Sequence, residues 1–186
     1  MSTLHVVDFE GTRTSGIGEY GVVTLVSGEI VDVRTAECTG KFEKHLDLFI
    51  KLRQSGTFVG HSASVEDGLL RYYAVSPGFV KKYSCSTESV ATWGPWIDTK
   101  VLYEAFFHNL PNYSLGELIK AFGLSDCLLA LAENFCPAHK IRYHNAMFDA
   151  LATYVLLRNL VIDLQKNGIK VSDELLIEYS RTGKNI

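Results

Sequence analysis

The apolar positions near the start of the chain crowd together: Leu4, Val6, Val7 and Phe9 surround His5, Asp8 and Glu10. This pattern, rich in β-branched and aromatic residues, predicts a buried strand that ends near Thr12. Thr12 to Gly18 reads as a loop of Thr, Ser, Arg and Gly. Glu19 to Val26 and Glu29 to Glu37 then predict two strands joined by a tight Ser27-Gly28 turn, a hairpin. Leu46, Phe49, Ile50 and Leu52 fall at helical spacing within Glu43 to Gln54, and Gly56 follows. Thr57 to Gly60 reads as a short strand. Ser64 to about Tyr73 predicts a helix with Val65, Leu69, Leu70 and Tyr73 as its apolar stripe, and Pro77-Gly78 lies beyond it.

Residues 76 to 96, with Lys81, Lys82 and Trp93-Gly94-Pro95-Trp96, read as a connection and a short strand into Ile97. Asp98-Thr99 opens a helix to about Phe107. A turn at Pro111-Asn112-Tyr113 precedes Ser114 and Glu117, which have the spacing of a capping box for a helix ending at Gly123. Asp126 to Phe135 predicts another helix, stopped by Pro137. Asn145 is placed to cap the strongest helix, Ala146 to about Asn167, and Ser172 to Ser180 predicts the last one. A β hairpin, then strands alternating with helices, then mostly helix, predicts an α/β domain with a mixed sheet covered by helices.

Composition narrows this. A chain of 186 residues is slightly above the common length of one domain, and 47% hydrophobic residues suffice for a full core. No repeat or clear linker divides it. No apolar run approaches the roughly 20 residues of a membrane span. The start of the chain lacks a basic region followed by an apolar one, so a signal peptide is not expected. Cys38, Cys85, Cys127 and Cys136 show no paired spacing, which suggests reduced thiols in a cytoplasmic protein, neither a zinc site nor a disulfide frame. The net charge of −3 argues against a simple basic nucleic-acid binder, but two divalent ions would move it to +1.

The strand at Asp8 and Glu10 is chemically odd. Residues two apart share a face of a strand, about 7 Å apart. Two unpaired anions there repel and resist desolvation. A hard divalent cation, Mg²⁺ or Mn²⁺, would compensate, while a strand end running into water would explain the pair equally well. A second acidic stretch, Gly60-His61-Ser62-Ala63-Ser64-Val65-Glu66-Asp67, runs from a strand end into a helix, where open α/β sheets build sites. A third is Tyr143-His144-Asn145-Ala146-Met147-Phe148-Asp149. Asp149 falls in the first turn of the long helix, where the dipole favours an anion. His144, just ahead of it, has a side chain suited to take a proton from water near neutral pH. Each piece has an ordinary explanation: capping for His144, the helix dipole for Asp149, Glu66 and Asp67. The combination carries the weight.

Together these motifs resemble the DEDDh 3′–5′ exonucleases, a ribonuclease-H-like family that includes polymerase proofreading subunits, RNase T and oligoribonuclease. Asp8-Phe9-Glu10-Gly11-Thr12 is similar to the family's Asp-x-Glu-Thr motif, Gly60-His61 through Leu70 to its second motif, and His144 to Asp149 to its His-x₄-Asp motif. Asp98-Thr99-Lys100-Val101-Leu102 and Tyr113-Ser114-Leu115 resemble the segment between them. The resemblance covers about residues 4 to 160. It implies one exonuclease domain over residues 1–186 with a C-terminal helical extension from about 161. The implied fold is a ribonuclease-H-like mixed five-stranded sheet flanked by helices.

The same resemblance implies the chemistry. Asp8, Glu10, Glu66 and Asp149 would hold two divalent ions, Mg²⁺ or Mn²⁺, roughly 3.5–4 Å apart, with His144 as general base. Nucleoside 5′-monophosphates would leave the 3′ end of single-stranded DNA or RNA. Backbone N–H groups near Gly11 and Thr12 would hold the terminal nucleotide, and His61 or Phe9 would stack on or flank its base, though core packing is the favoured reading of Phe9. Lys81, Lys82, Lys140 and Arg142 would guide the strand. Two positions depart from the family pattern: Glu66 stands where relatives carry Asp, with Asp67 the alternative ligand, and Gly11 stands where they carry Thr. A non-catalytic nucleic-acid-binding module with the same fold is the second reading, and a hydrolase of small phosphoesters a third. Nucleic acid is the expected partner and no membrane is; some relatives are homodimers, but neither such an interface nor a polymerase-type partner is legible.

Overall fold

A computed structural model describes residues 3–38, 41–73, 79–81, 89–91 and 93–183. The first three strands are β1 (Thr3–Thr12), β2 (Gly16–Val26) and β3 (Glu29–Glu37). Helix α1 (Leu46–Ser55), strand β4 (Thr57–Gly60) and helix α2 (Ala63–Tyr73) follow. A two-stranded antiparallel ribbon, β5 (Phe79–Lys81) with β6 (Ser89–Ala91), precedes β7 (Trp96–Asp98). The remaining helices are α3 (Thr99–Phe106), α4 (Leu115–Ala121), α5 (Ser125–Phe135), α6 (Ala146–Lys166) and α7 (Asp173–Thr182).

The main sheet has the order β3-β2-β1-β4-β7. The first three strands are antiparallel, and β4 and β7 run parallel to β1. This is the mixed five-stranded sheet expected. Ser27 and Gly28 both have positive φ, 53° and 85°, as the tightest hairpin turns require. The β1–β2 connection is shorter than the loop expected, because pairing resumes at Gly16 opposite Thr12.

Alternation along β1 sends its residues to two different cores. Val6 joins Val23, Leu25, Val59 and Ile97 beneath α6, whose residues from Ala146 to Leu157 are all buried. Val7 and Phe9 face Phe42, Phe49, Leu52, Leu69, Leu70 and Trp93 on the side of α1 and α2. Asp8 and Glu10 share the parity of Val6 and so point toward the start of α6. Leu176 and Tyr179 of α7 enter the α6 core, and Ser180 Oγ accepts from Asp98 N at 2.8 Å. The expected C-terminal extension is thus packed into the main body.

Three local expectations changed. The helix expected from Glu43 starts as a 3-10 turn, Phe42–His45, before α1. Ser114 precedes α4 without capping it by its side chain; Glu117 pairs instead with Lys120 at 2.8 Å, and Asn112 Oδ1 accepts from Ser114 N. Asn145 stands at the N-cap of α6, but its side chain donates to Arg142 O at 3.2 Å. The β5–β6 ribbon was not anticipated, since three-residue strands carry no usable period. Pro77-Gly78, Lys82 and Cys85 lie outside the described residues. Cys38, Cys127 and Cys136 are free thiols. Among the described residues no helix is long and apolar enough to cross a membrane.

Gly21 sets the distance between sheet and helix. It pairs with Asp8 across β1 and β2, and a Cβ there would lie 2.3 Å from Ala146 O and 2.6 Å from Met147 Cα. The first turn of α6 therefore rests on bare β2 backbone beside Asp8. Gly21→Ala must push that turn away, and overpacking of this kind costs about 1–3 kcal/mol. Urea unfolding of the variant is expected to show that loss; an unchanged midpoint would mean α6 does not bear on β2 here.

Candidate active site

The two carboxylates of β1 lie where the sheet opens. β4 pairs with β1 only from Leu4 to Val6, so further along the β4 side of β1 has no strand beside it. There Phe9 N donates to Glu66 Oε2 at 3.0 Å. Glu66 sits in the first turn of α2, which starts just past the end of β4, and only 4% of it is exposed. Its extra methylene, relative to Asp, lets it span from the helix to the strand backbone. Asp67 turns the other way: Oδ1 accepts from Trp93 N at 2.7 Å and Trp96 Nε1 at 3.1 Å, and Oδ2 pairs with Arg71 at 2.9 Å. Of the two neighbouring acids, Glu66 faces β1 and Asp67 braces the approach to β7.

The third motif arrives from α6. Asp149 is buried in its first turn, and Oδ2 accepts from His144 N at 3.0 Å. The other oxygen, Oδ1, is buried without a hydrogen-bond partner. Such an orphan costs desolvation energy unless something binds it. His144 has φ of 64° and an exposed side chain, so the chain reverses sharply just before the helix and leaves the imidazole at the rim. Glu10, His144 and Asp149 offer ligand atoms that all lie within 4.8 Å of one another.

The charges report the same convergence. Burial pushes Asp8 well above the usual carboxylate range, reinforced by Glu66, Asp149 and Glu10. Burial likewise pushes Glu66 up to about 8, against the pull of the Phe9 N–H, with Glu10, Asp98 and Asp149 adding repulsion. Asp149 rises to about 7, again chiefly through burial and then Glu10, while the His144 N–H works against it. Glu10 is also raised, by burial first, though His144 pulls it down. Four acids that resist ionisation beside one another are a candidate site for positive charge.

The expected nucleotide contacts fare differently. The ring of Phe9 is 5% exposed and packs against Phe42 and Phe49, at centroid distances of 5.8 and 5.0 Å. It cannot stack on a base; only its backbone reaches the cleft, which corrects that expectation. His61 has both ring nitrogens engaged, Nδ1 with Thr99 Oγ1 and Nε2 with Tyr113 O, each at 2.9 Å. A carbonyl only accepts, so Nε2 carries the proton and the ring ties β4 to the α3–α4 connection. Thr12 is exposed, with Oγ1 accepting from Ser15 N at 3.0 Å. Gly11 lies at a β-bulge, where a Cβ would be 2.2 Å from Gly16 O; that explains why Thr is absent there. Lys140 Nζ is held by Glu19 and Glu37.

Asp98 was read as a helix start within the segment that resembles the family between its motifs. Its carboxylate accepts from Ser62 N, Ala63 N, Lys100 N and Val101 N, between 2.8 and 3.4 Å, and so fixes the starts of α2 and α3 together. No sequence signal separates this double role from an ordinary cap. Gly21 did carry one, a glycine inside a strand pattern, which marks close backbone approach. Two cavities of about 620 and 400 Å³ flank Arg158 on the later half of α6; neither is lined by an acid of this cleft.

No protein-family model matches the chain, and no curated protein matches it in sequence. Solved structures do match in shape. Exonuclease X, in complex with 5′ overhanging duplex DNA, superposes with a TM-score of 0.62 at 18% identity, over 95% of this chain and 99% of that one. Exonuclease I superposes with a TM-score of 0.55 at 15% identity, over 96% of this chain, which spans 43% of the other's length. At these identities the likeness is one of fold. The chain is an α/β domain of the ribonuclease-H-like fold. Both named neighbours are exonucleases, as are the proteins its motifs resemble.

The raised acids set a pH dependence. A carboxyl whose folded pKa exceeds its unfolded value stabilises fully below the unfolded value and loses that stability as pH rises through the folded one. For Glu66 that window runs from 4.5 to about 8, and for Asp149 from 3.8 to about 7. Urea unfolding of metal-free protein is expected to show stability falling from pH 5 to 8, with added Mg²⁺ or Mn²⁺ recovering most at the upper end. Stability that is flat or rising over this range without metal would refute the charge assignment.

Proposed function

We propose that this protein is a metal-dependent 3′–5′ exonuclease that removes nucleoside 5′-monophosphates from the 3′ end of single-stranded DNA or RNA. The observation that carries the proposal is the convergence of Asp8, Glu10, Glu66 and Asp149 with His144 at the open edge of β1. Asp149 Oδ1, buried and without a hydrogen-bond partner, is suited to ligate a cation there. The donor set fits Mg²⁺ or Mn²⁺, since it is all carboxylate with one imidazole at the rim. In this reading the four acids hold two divalent ions. When bound, these would supply charge against the phosphodiester and make a coordinated water more acidic.

The remaining work belongs to the chain. Glu66 takes the ligand role and Asp67 does not, because Asp67 already answers Trp93, Trp96 and Arg71. Glu66 and Phe9 N–H hold each other, so the acid cannot swing out of the cleft. His144 stands at the rim with its backbone tied to Asp149 and its ring free to meet water, and it removes the proton of the attacking water. Its backbone N–H also favours the ionised form of Asp149. The exposed lip at Gly11 and Thr12 offers backbone and hydroxyl groups to the terminal nucleotide. The exonuclease neighbours, one of them bound to DNA, and the His-x₄-Asp motif support this reading.

An inactive binding module drew its only support from the glutamate at 66. The Glu66 carboxylate lies against the β1 backbone of the same cleft, which favours the enzyme reading. Release of nucleotide from a 3′-labelled oligonucleotide is expected only with divalent ion present. Asp8→Asn or Asp149→Asn is expected to abolish release while circular dichroism stays native; full activity in either overturns the site. His144→Ala is expected to slow release by about 10²- to 10⁴-fold, the usual contribution of a general base, with Mn²⁺ affinity largely retained. Full rate in that variant would remove the base from the proposal. Matched single-stranded DNA, RNA and duplex substrates in one time course would assign the preferred polymer.

A further inference from the structure

Three acids lie in one row across the sheet. Glu10 on β1 pairs in register with Glu19 on β2, and Glu19 pairs with Glu37 on β3. Like charges directly opposite on neighbouring strands repel. The inner acid, Glu10, belongs to the cleft. The outer two meet a single cation: Lys140 Nζ lies 2.9 Å from Glu19 Oε1 and 2.5 Å from Glu37 Oε1. The Glu19 and Lys140 side chains are only 13% and 21% exposed, so this is more than a chance surface pair.

Lys140 closes a 3-10 turn, Ala138–Lys140, on the short connection between α5 and α6. From there a run of local bonds leads to the cleft. Lys140 N donates to Pro137 O and Arg142 N to Lys140 O. Asn145 Nδ2 donates to Arg142 O, and His144 N to Asp149 Oδ2. The connection therefore has one mooring at Asp149, next to His144, and a second at Glu19 and Glu37, four residues earlier. With φ of 64° at His144, the imidazole stands on a reversed stretch of chain between a helix and these anchors. Lys140 and its neighbour Arg142 were first read as guides for a nucleic-acid strand, but the Lys140 ammonium is already committed to two carboxylates.

We propose that Lys140 is a positioning residue: by bridging Glu19 and Glu37 it moors the connection that carries His144 and fixes the imidazole over the cleft. This rests on the exonuclease reading for its effect on rate, though the mooring itself does not. The mooring also sets a positive charge against Glu19, the acid opposite Glu10 on the neighbouring strand.

The test is Lys140→Met beside Lys140→Arg, with Glu37→Gln as the partner change on the exposed rim. In Lys140→Met, kcat is expected to fall about ten-fold with KM for a single-stranded oligonucleotide within about two-fold, since misplacing a catalytic group by ~1 Å is worth up to about 10²-fold. Lys140→Arg is expected to keep kcat within about two-fold, and Glu37→Gln to add little on top of Lys140→Met, as coupled neighbours do. Amide hydrogen exchange of residues 141–145 in metal-free protein is expected to quicken in Lys140→Met and not in Lys140→Arg. A raised KM at constant kcat would make Lys140 a substrate contact and overturn the proposal. So would unchanged exchange in Lys140→Met. A wild-type protein without nuclease activity would refute the exonuclease reading instead and leave the exchange result to decide the mooring.

Discussion

Mutual repulsion of carboxylates held away from water is the constraint on which the rest of this molecule depends. Asp8, Glu66 and Asp149 are each driven toward their protonated forms first by burial and then by neighbouring acids, Glu10 among them in every case. A fold does not bring four acids together by accident of packing, because each loses hydration in doing so. Something must hold them against that repulsion. The surrounding structure is best understood as that holding frame.

The frame has three members. The bare backbone at Gly21 lets α6 descend onto β2 and brings Asp149 over β1. The early end of β4 leaves Phe9 N–H open for Glu66, so the acid satisfies a strand donor and reaches the cleft in one bond. Asp98 ties the starts of α2 and α3 through four backbone N–H groups, which fixes the turn from which Glu66 projects. Asp67, one residue along, faces a different side of α2 and serves the Trp93–Trp96 wall. Two adjacent acids thus do different jobs because a helix turns about 100° per residue.

Much of this was legible before any coordinates. The Ser27-Gly28 hairpin, the long helix after Asn145 and the acid pair on β1 follow from local patterns, since turn chemistry and apolar period act over a few residues. The gathering of Asp8, Glu10, Glu66 and Asp149 was reached only by resemblance to an ordered set of motifs; no local rule brings residue 8 to residue 149. What stayed hidden was long-range or backbone-borne. Phe9 read more as core than as a base contact, and Phe42 and Phe49 close around it. His61 looked free until Thr99 and Tyr113 took both nitrogens. The doubt between Glu66 and Asp67 turned on an open strand edge, which depends on where β4 stops. Ser114 and Asn145 had the right identities for caps and stand at the helix starts, yet neither side chain makes a cap bond.

The central claim is that the cleft is a cation cage whose acids carry protons until metal displaces them. Calorimetric titration of Mn²⁺ at pH 7, repeated in buffers of different ionisation enthalpy, measures this directly. With Glu66 near 8 and Asp149 near 7, binding should expel about one proton or more per chain. The Glu66→Gln variant should expel measurably fewer and bind more weakly. Tight Mn²⁺ binding with no proton release, or release that Glu66→Gln leaves untouched, would contradict the account.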